Sequence, residues 1–199
     1  MCIPAVIFFF MFNYMPLPGI WVAFVKYNYR DGIFGSRFVG LDNFKFLASS
    51  GKLLSLTKNT ILYNLAFILL GNFLAVFVAI MGIDGEMMEA AKVDGANGFQ
   101  RIRYIILPSL KPTIVILLLF ALGGIVKGNF GLFYNIVGSN SILYTTTDII
   151  ETYVYRATMT DFNFSTASAV GLYQSVIGFV IVMVVNWVVK RIEPDYALF

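Results

Sequence analysis

The chain has 199 residues, of which 59% are hydrophobic, 17% aromatic and only 13% charged, and its mean hydropathy is +0.80. A soluble domain is about 45–50% apolar and about 25% charged, so this sequence carries more apolar surface than a soluble core hides, and a bilayer is the solvent that accommodates it. A net charge of +3 without any Lys/Arg run excludes the electrostatic footprint of a nucleic-acid binder, and a chain with no His and one Cys, Cys2, has neither an internal disulfide nor a Cys/His metal centre.

Four uncharged or nearly uncharged stretches follow in chain order: Ile3–Val25, Ile61–Ile83, Thr113–Val126 and Phe164–Val189. At 1.5 Å per residue, the first, second and fourth are long enough for a hydrocarbon core about 30 Å thick. The third reaches that length if it starts near Pro108, where the first turn of a helix tolerates proline and Lys111 can snorkel to the headgroups. The N-terminal stretch lacks a basic flank and is too long for the apolar core of a signal peptide, so it reads as a retained span. Beyond Val126, apolar residues continue but are broken by Gly123, Gly124, Gly128 and Gly131. Such a segment fits a helix unwound around a transport pathway, and equally a Gly-rich helix end packed on a neighbour. On the first reading Asn129, Phe130 and Tyr134 are the candidate pathway contacts. In the last span Ala167, Gly171 and Ser175 recur every four residues, a small-residue face suited to close helix packing. Ser139–Asp161 is expected outside the membrane, with one amphipathic helix capped by Thr147 and an apolar stripe of Ile149, Ile150, Tyr153 and Val154.

Residues 84–112 are the longest polar stretch between spans. They predict two short helices: about Glu86–Val93, with Asp84 as N-cap, and a second opened by Asn97 with Gln100 three residues on, a capping-box spacing. Between them Asp94-Gly95 supplies a turn in which glycine takes a positive φ.

Within this stretch, Glu89-Ala90-Ala91, Gly95, Ile105 and Leu107-Pro108 stand at fixed spacing. The pattern resembles the EAA signature of binding-protein-dependent ABC importer permeases, in which a cytoplasmic loop forms a two-piece coupling helix that docks into an ATPase subunit. The resemblance extends to Val39-Gly40-Leu41-Asp42-Asn43-Phe44, similar to the external loop of sugar-type permeases, and to Thr152–Arg156 with Ala169-Val170-Gly171-Leu172, similar to the complex-carbohydrate branch. Together with the four apolar stretches, it implies an all-α integral membrane helical bundle of about four spans, with 1–55 as first helix and external loop and 56–199 as the permease domain. It implies ATPase coupling through Glu89, Ala90, Ala91, Asp94, Gly95, Ile105, Leu107 and Pro108. The implied partners are an ATP-binding subunit, a second permease subunit, an extracytoplasmic solute-binding protein and membrane lipid; no cofactor, metal or nucleic acid is implied. Both termini are then cytoplasmic in the cell membrane, an orientation that rests on the motif because the Lys/Arg distribution runs against the positive-inside tendency.

That family carries six spans per subunit, against four here, so one helical hairpin is expected to be missing near Gly71–Ile80. On that view Asn64, Asn72, Gln174 and Asn186 need hydrogen-bond partners from another subunit. Two other classes stay in play: a truncated, non-transporting protein that assembles with or competes for ABC subunits, and a fragment of a secondary transporter. Spans without ionisable groups in their cores argue against proton coupling in the second. No phosphate-binding Gly-rich loop occurs, so ATP hydrolysis is expected on a separate subunit and the chain itself is not an enzyme.

Overall fold

The computed structural model of the protein describes residues 3–81, 89–91 and 93–192. Their order is α1 (Ile3–Asn13), a 3-10 segment (Leu17–Phe24), β1 (Val25–Lys26), α2 (Gly32–Gly35), β2 (Arg37–Phe38), α3 (Asp42–Ser49), α4 (Lys52–Met81), α5 (Gly98–Arg101), a π-helical stretch (Ile102–Ile106), α6 (Leu107–Gly123), α7 (Phe130–Val137), α8 (Tyr144–Thr147), α9 (Ile150–Met159) and α10 (Phe164–Ile192). Among the described residues, four helical stretches are long and apolar enough to cross a bilayer: Ile3–Phe24, Lys52–Val78, Gly98–Gly123 and Phe164–Arg191. The all-α membrane bundle and its count of spans therefore agree with the sequence reading, while the ends of the spans move.

The first span is not one helix. Pro16 has no N–H to donate and crowds the carbonyl four residues back. The helix therefore closes on Tyr14 and Met15, which both bond the Phe10 carbonyl, and resumes as a 3-10 segment from Leu17. The second span begins at Lys52 rather than Ile61, since only Gly51, at φ +67°, interrupts the helical path. The helix that contains the third begins at Gly98, ahead of Pro108 and Thr113. Pro108 is absorbed because residues 102–106 widen to π-helical turns, with the Leu107 N–H reaching the Ile102 carbonyl. The Gly71–Ile80 region expected to carry the missing hairpin lies inside the unbroken α4.

The described residues group into two compact units, Met1–Leu62 with Val126–Ile177 and Tyr63–Ile125 with Gly178–Phe199. In the first, β1 pairs antiparallel with β2, Val25 opposite Phe38. Gly40 at φ +60° turns the chain into α3, and the Asn43 side chain then donates to the Ala23 and Val25 carbonyls at 2.8 and 3.2 Å. The start of α4 is fastened to the segment before α9: Asn59 donates to the Asp148 carbonyl at 3.1 Å, and the buried Thr60 hydroxyl accepts the Ile150 N–H at 3.1 Å. Ile149 and Ile150 are fully buried, as their place on the apolar stripe requires.

The cap of α9 differs from expectation. Thr147 bonds back to the Leu143 carbonyl at 2.6 Å and closes the separate turn α8. Ile149 becomes the residue before α9, its N–H accepted by the Thr152 hydroxyl at 3.1 Å. Asp148, released from the first turn, is buried and paired with Arg156. Asn43→Ala removes a donor from two backbone carbonyls beside β1, and is expected to cost about 1–3 kcal/mol. Thermal unfolding of the detergent-solubilised protein checks this, and an unchanged midpoint contradicts the clamp.

Candidate functional site

The EAA-like elbow lies within the second unit. Residues 89–91 and 93 are helical, and the helix ends as an αL-glycine cap predicts. Asp94 N–H bonds the Ala90 carbonyl at 3.1 Å, Gly95 sits at φ +77°, and Ala96 N–H reaches back to the Ala91 carbonyl at 2.9 Å. Two residues later Asn97 opens α5 with both capping-box bonds made: its Oδ1 accepts the Gln100 N–H and its own N–H donates to Gln100 Oε1, each at 2.9 Å. From Gly98 the helix runs without a stop into the third span. Ile105 is half-buried, and Leu107 and Pro108 are exposed on that same run. The expected start of the first piece, residues 84–88, lies outside the described residues.

Glu89, Ala90, Asp94 and Gly95 are exposed, whereas Ala91 is buried; only Ala90 of the pair is open to a partner's close approach. Sequence reasoning missed the apolar part of this surface. Val93 is 87% exposed, Phe99 73% and Tyr104 72%. The detectable signal was large apolar residues in a segment otherwise polar enough to leave the membrane.

The second candidate site lies in the first unit, in the chain from Val126 onward. Gly123 ends α6, and the chain stays irregular until Asn129 caps α7 by accepting the Leu132 N–H at 3.0 Å. Glu151 from α9 serves this break: its Oε1 accepts the Gly128 N–H at 2.7 Å and the Gln174 amide at 2.6 Å. Gln174 also donates to the Val126 carbonyl at 2.8 Å. Oε2 of Glu151 is buried and makes no hydrogen bond among the described residues. A Cβ on Gly128 would stand 2.5 Å from Ile149 Cδ1 and 2.7 Å from Glu151 Oε2, so glycine is dictated by close approach. The segment is irregular between Gly123 and Asn129 and packs Gly128 closely against Ile149 and Glu151, as a Gly-rich helix end resting on a neighbour does.

These bonds correct the expectation about the polar groups of the spans. Gln174 is satisfied as described, Asn64 donates to the Ile125 carbonyl at 2.7 Å within the second unit, and Asn72 donates to its own helix at Ile68. Asn186 is buried and also engaged. The physical reason is local: an unwound span exposes carbonyls that side-chain amides can reach, and a helix offers its own i−4 carbonyl.

Of the pathway candidates, Asn129 is the cap, while Phe130 and Tyr134 join Tyr155 of α9 in an aromatic triad with ring centroids 5.1–5.2 Å apart. A hydrogen bond with Tyr134 pushes the Tyr155 phenol above its ordinary value. Beside the triad lies a cavity of about 400 Å³ that also holds Tyr144, Asp148 and Arg156. The Arg156 guanidinium lies 4.0 Å from the Tyr144 ring centroid and bonds Asp148. Burial alone would lower Arg156, but the hydrogen bond and charge of Asp148 outweigh it and leave its pKa above the ordinary value. Its contribution is lost only as pH rises through that raised value, so the guanidinium stays charged at any physiological pH. Of the predicted packing face, Ala167 is buried, but Ser175 is exposed and no described atom stands within 4 Å of a Cβ built on Gly171. The buried side of α10 instead carries Ser165, Thr166, Ala169 and Val170.

A family model described as binding-protein-dependent transport system inner membrane component matches residues 1–195. Protein LplB of Bacillus subtilis (strain 168) is 34% identical over 117 residues, which are 59% of this chain and 36% of that protein. The polygalacturonan/rhamnogalacturonan transport system permease protein YteP of the same organism is 26% identical over 284 residues, 98% of this chain and 88% of that protein. The matched region thus spans little more than a third of LplB. The YteP alignment runs to 284 positions against a chain of 199 residues, so at least 85 positions have no residue here. In fold, the chain superposes with TM-score 0.77 at 23% identity, over 96% of itself and 93% of the other, on a chain from the structure of a bacterial alginate ABC transporter in complex with alginate pentasaccharide-bound periplasmic protein.

Gly128→Ala is expected to push Glu151 off the break and to cost about 1–3 kcal/mol through overpacking. Hydrogen exchange in the purified protein checks this: exchange at residues 126–129 should rise well above that of α9, and an unaltered pattern counts against the clamp.

Proposed function

Because this chain belongs to the binding-protein-dependent transport system inner membrane component family, we propose that it is the membrane-spanning permease subunit of an ATP-driven importer of oligosaccharides. The observation that carries the coupling part is the elbow: a glycine-capped helix end and a capping box, two residues apart, feeding a helix continuous with a span. A segment so fixed transmits displacement rather than absorbing it. Residues 84–112 face the cytoplasm and dock into a separate ATP-binding subunit, which hydrolyses the ATP. Val93, Phe99 and Tyr104 supply the apolar contact, Ala90 the close approach and Glu89 a charge for the partner's hydrogen bonds. With this loop inside, both termini are cytoplasmic. A second permease subunit and an extracytoplasmic solute-binding protein complete the assembly.

The saccharide part is supported by the aromatic triad and by the substrates in the names of YteP and the alginate transporter. Flat rings with a few fixed polar groups suit molecules that present both C–H faces and hydroxyls.

Two substitutions separate the roles on the elbow. Gly95→Val places a β-branched residue at φ +77°, which an L-residue disfavours by about 1–2 kcal/mol; uptake is expected to fall at least about tenfold while the ATPase still associates. Phe99→Asp puts a charge in the apolar contact and is expected to abolish co-purification of the ATP-binding subunit from solubilised membranes. Undiminished co-purification with Phe99→Asp, together with normal uptake by Gly95→Val, removes the coupling role.

A further inference from the structure

We infer that the cavity beside the aromatic triad is a saccharide subsite built for neutral sugar units rather than uronic acids. The inference rests on the carbohydrate reading above and adds the class of sugar. The cavity measures about 400 Å³, and three tyrosines, Tyr134, Tyr144 and Tyr155, line it. Tyr134 and Tyr155 keep more than a third of their surface open although both are large and partly apolar. Exposed rings beside a concavity with fixed polar groups are the usual make-up of a small-molecule site.

The charges in this cavity cancel. Asp148 and Arg156 are the only charged residues among its described lining, and they bond each other. The Asp148 side chain is 3% exposed and Arg156 20%, so the carboxylate lies deeper and the guanidinium nearer the opening. Both Asp148 oxygens are engaged: Oδ1 accepts the Thr152 hydroxyl at 2.8 Å and Oδ2 accepts Arg156. Arg156 bonds Asp148 through one terminal nitrogen, and none of its nitrogens is both buried and unsatisfied. Its plane is fixed by the Tyr144 ring. A sugar hydroxyl therefore meets an oriented donor whose charge is already balanced. A carboxylate there would have to shed water while facing Asp148 beneath the same guanidinium, a like-charge cost with no compensating second cation in the lining.

Matched trisaccharides test this on the purified full chain: galactotriose against trigalacturonate and mannotriose against trimannuronate, by isothermal titration. The neutral member of at least one pair is expected to bind about tenfold or more tighter than its acid. Tyr155→Ala, at an exposed ring, should weaken that binding about tenfold without lowering the thermal midpoint. Asp148→Asn unmasks the Arg156 charge and should move the preference toward the acid by a similar factor; where that variant does not fold, the matched pairs and Tyr155→Ala still decide. Acids binding as tightly as neutral sugars, binding indifferent to Tyr155→Ala, or no binding by any of the four overturns the subsite. Cellular uptake separates this from failure of the broader reading: chain-dependent uptake of oligosaccharide without binding at the cavity sinks only the subsite, whereas no chain-dependent uptake of any oligosaccharide sinks the proposed function.

Discussion

The interaction on which the architecture of the first unit depends is the one made by the Glu151 carboxylate with the Gly128 N–H and the Gln174 amide. A span that stops being helical inside or beside a bilayer leaves backbone groups without water, at several kcal/mol each unless protein partners supply the bonds. Here the span stops at Gly123, and the groups that follow are covered one at a time: the Ile125 carbonyl by Asn64, the Val126 carbonyl by Gln174, the Gly128 N–H by Glu151. With these in place Asn129 can begin a new helix and deliver Phe130 and Tyr134 to Tyr155.

That constraint also explains why α9 lies where it does. Its apolar stripe, with Ile149 and Ile150 buried, would be satisfied by many resting places on neighbouring spans. The polar bonds select one: Thr60 and Asn59 hold its N-terminal end, and Glu151 points at the break. Asp148 and Arg156 then fold α8 back against the same helix. A buried pair of this kind adds little net stability and is costly to break, so its effect is to fix which arrangement the segment takes.

The features legible in the sequence were those set by local rules. Four long apolar runs gave four spans, the Asn97–Gln100 spacing gave a complete capping box, and Asp94-Gly95 gave the positive-φ turn. Span ends were less legible because a helix continues through polar residues until something stops it. Lys52 and Lys58 lie on α4, and Pro108 passes inside a helix once the preceding turns widen. Least legible were contacts between residues far apart in sequence. Nothing local to Gln174 indicates that it serves Val126 and Glu151, or that Asn64 serves Ile125. The same polar residues, counted along the chain, suggested groups in want of a second subunit; placed in space, they are the ones that let a span break.

This reversal bears on what a shortened member of the family retains. An internal hairpin could be lost from a bundle only if no remaining group depended on it for a hydrogen bond. Among the described residues, the strong polar side chains of the spans find their partners within this chain, and α4 runs unbroken through the region where the hairpin was expected. What such a loss removes is apolar contact. Gly71 has no described atom within 4 Å of a Cβ built on it, and Leu69, Leu70, Phe73 and Leu74 are exposed on the same helix. In a bilayer an apolar helix face exchanges protein for lipid at small cost, since acyl chains are as apolar as leucine. The capped elbow and the braced break both persist in this chain, because each is closed by bonds among residues that it keeps.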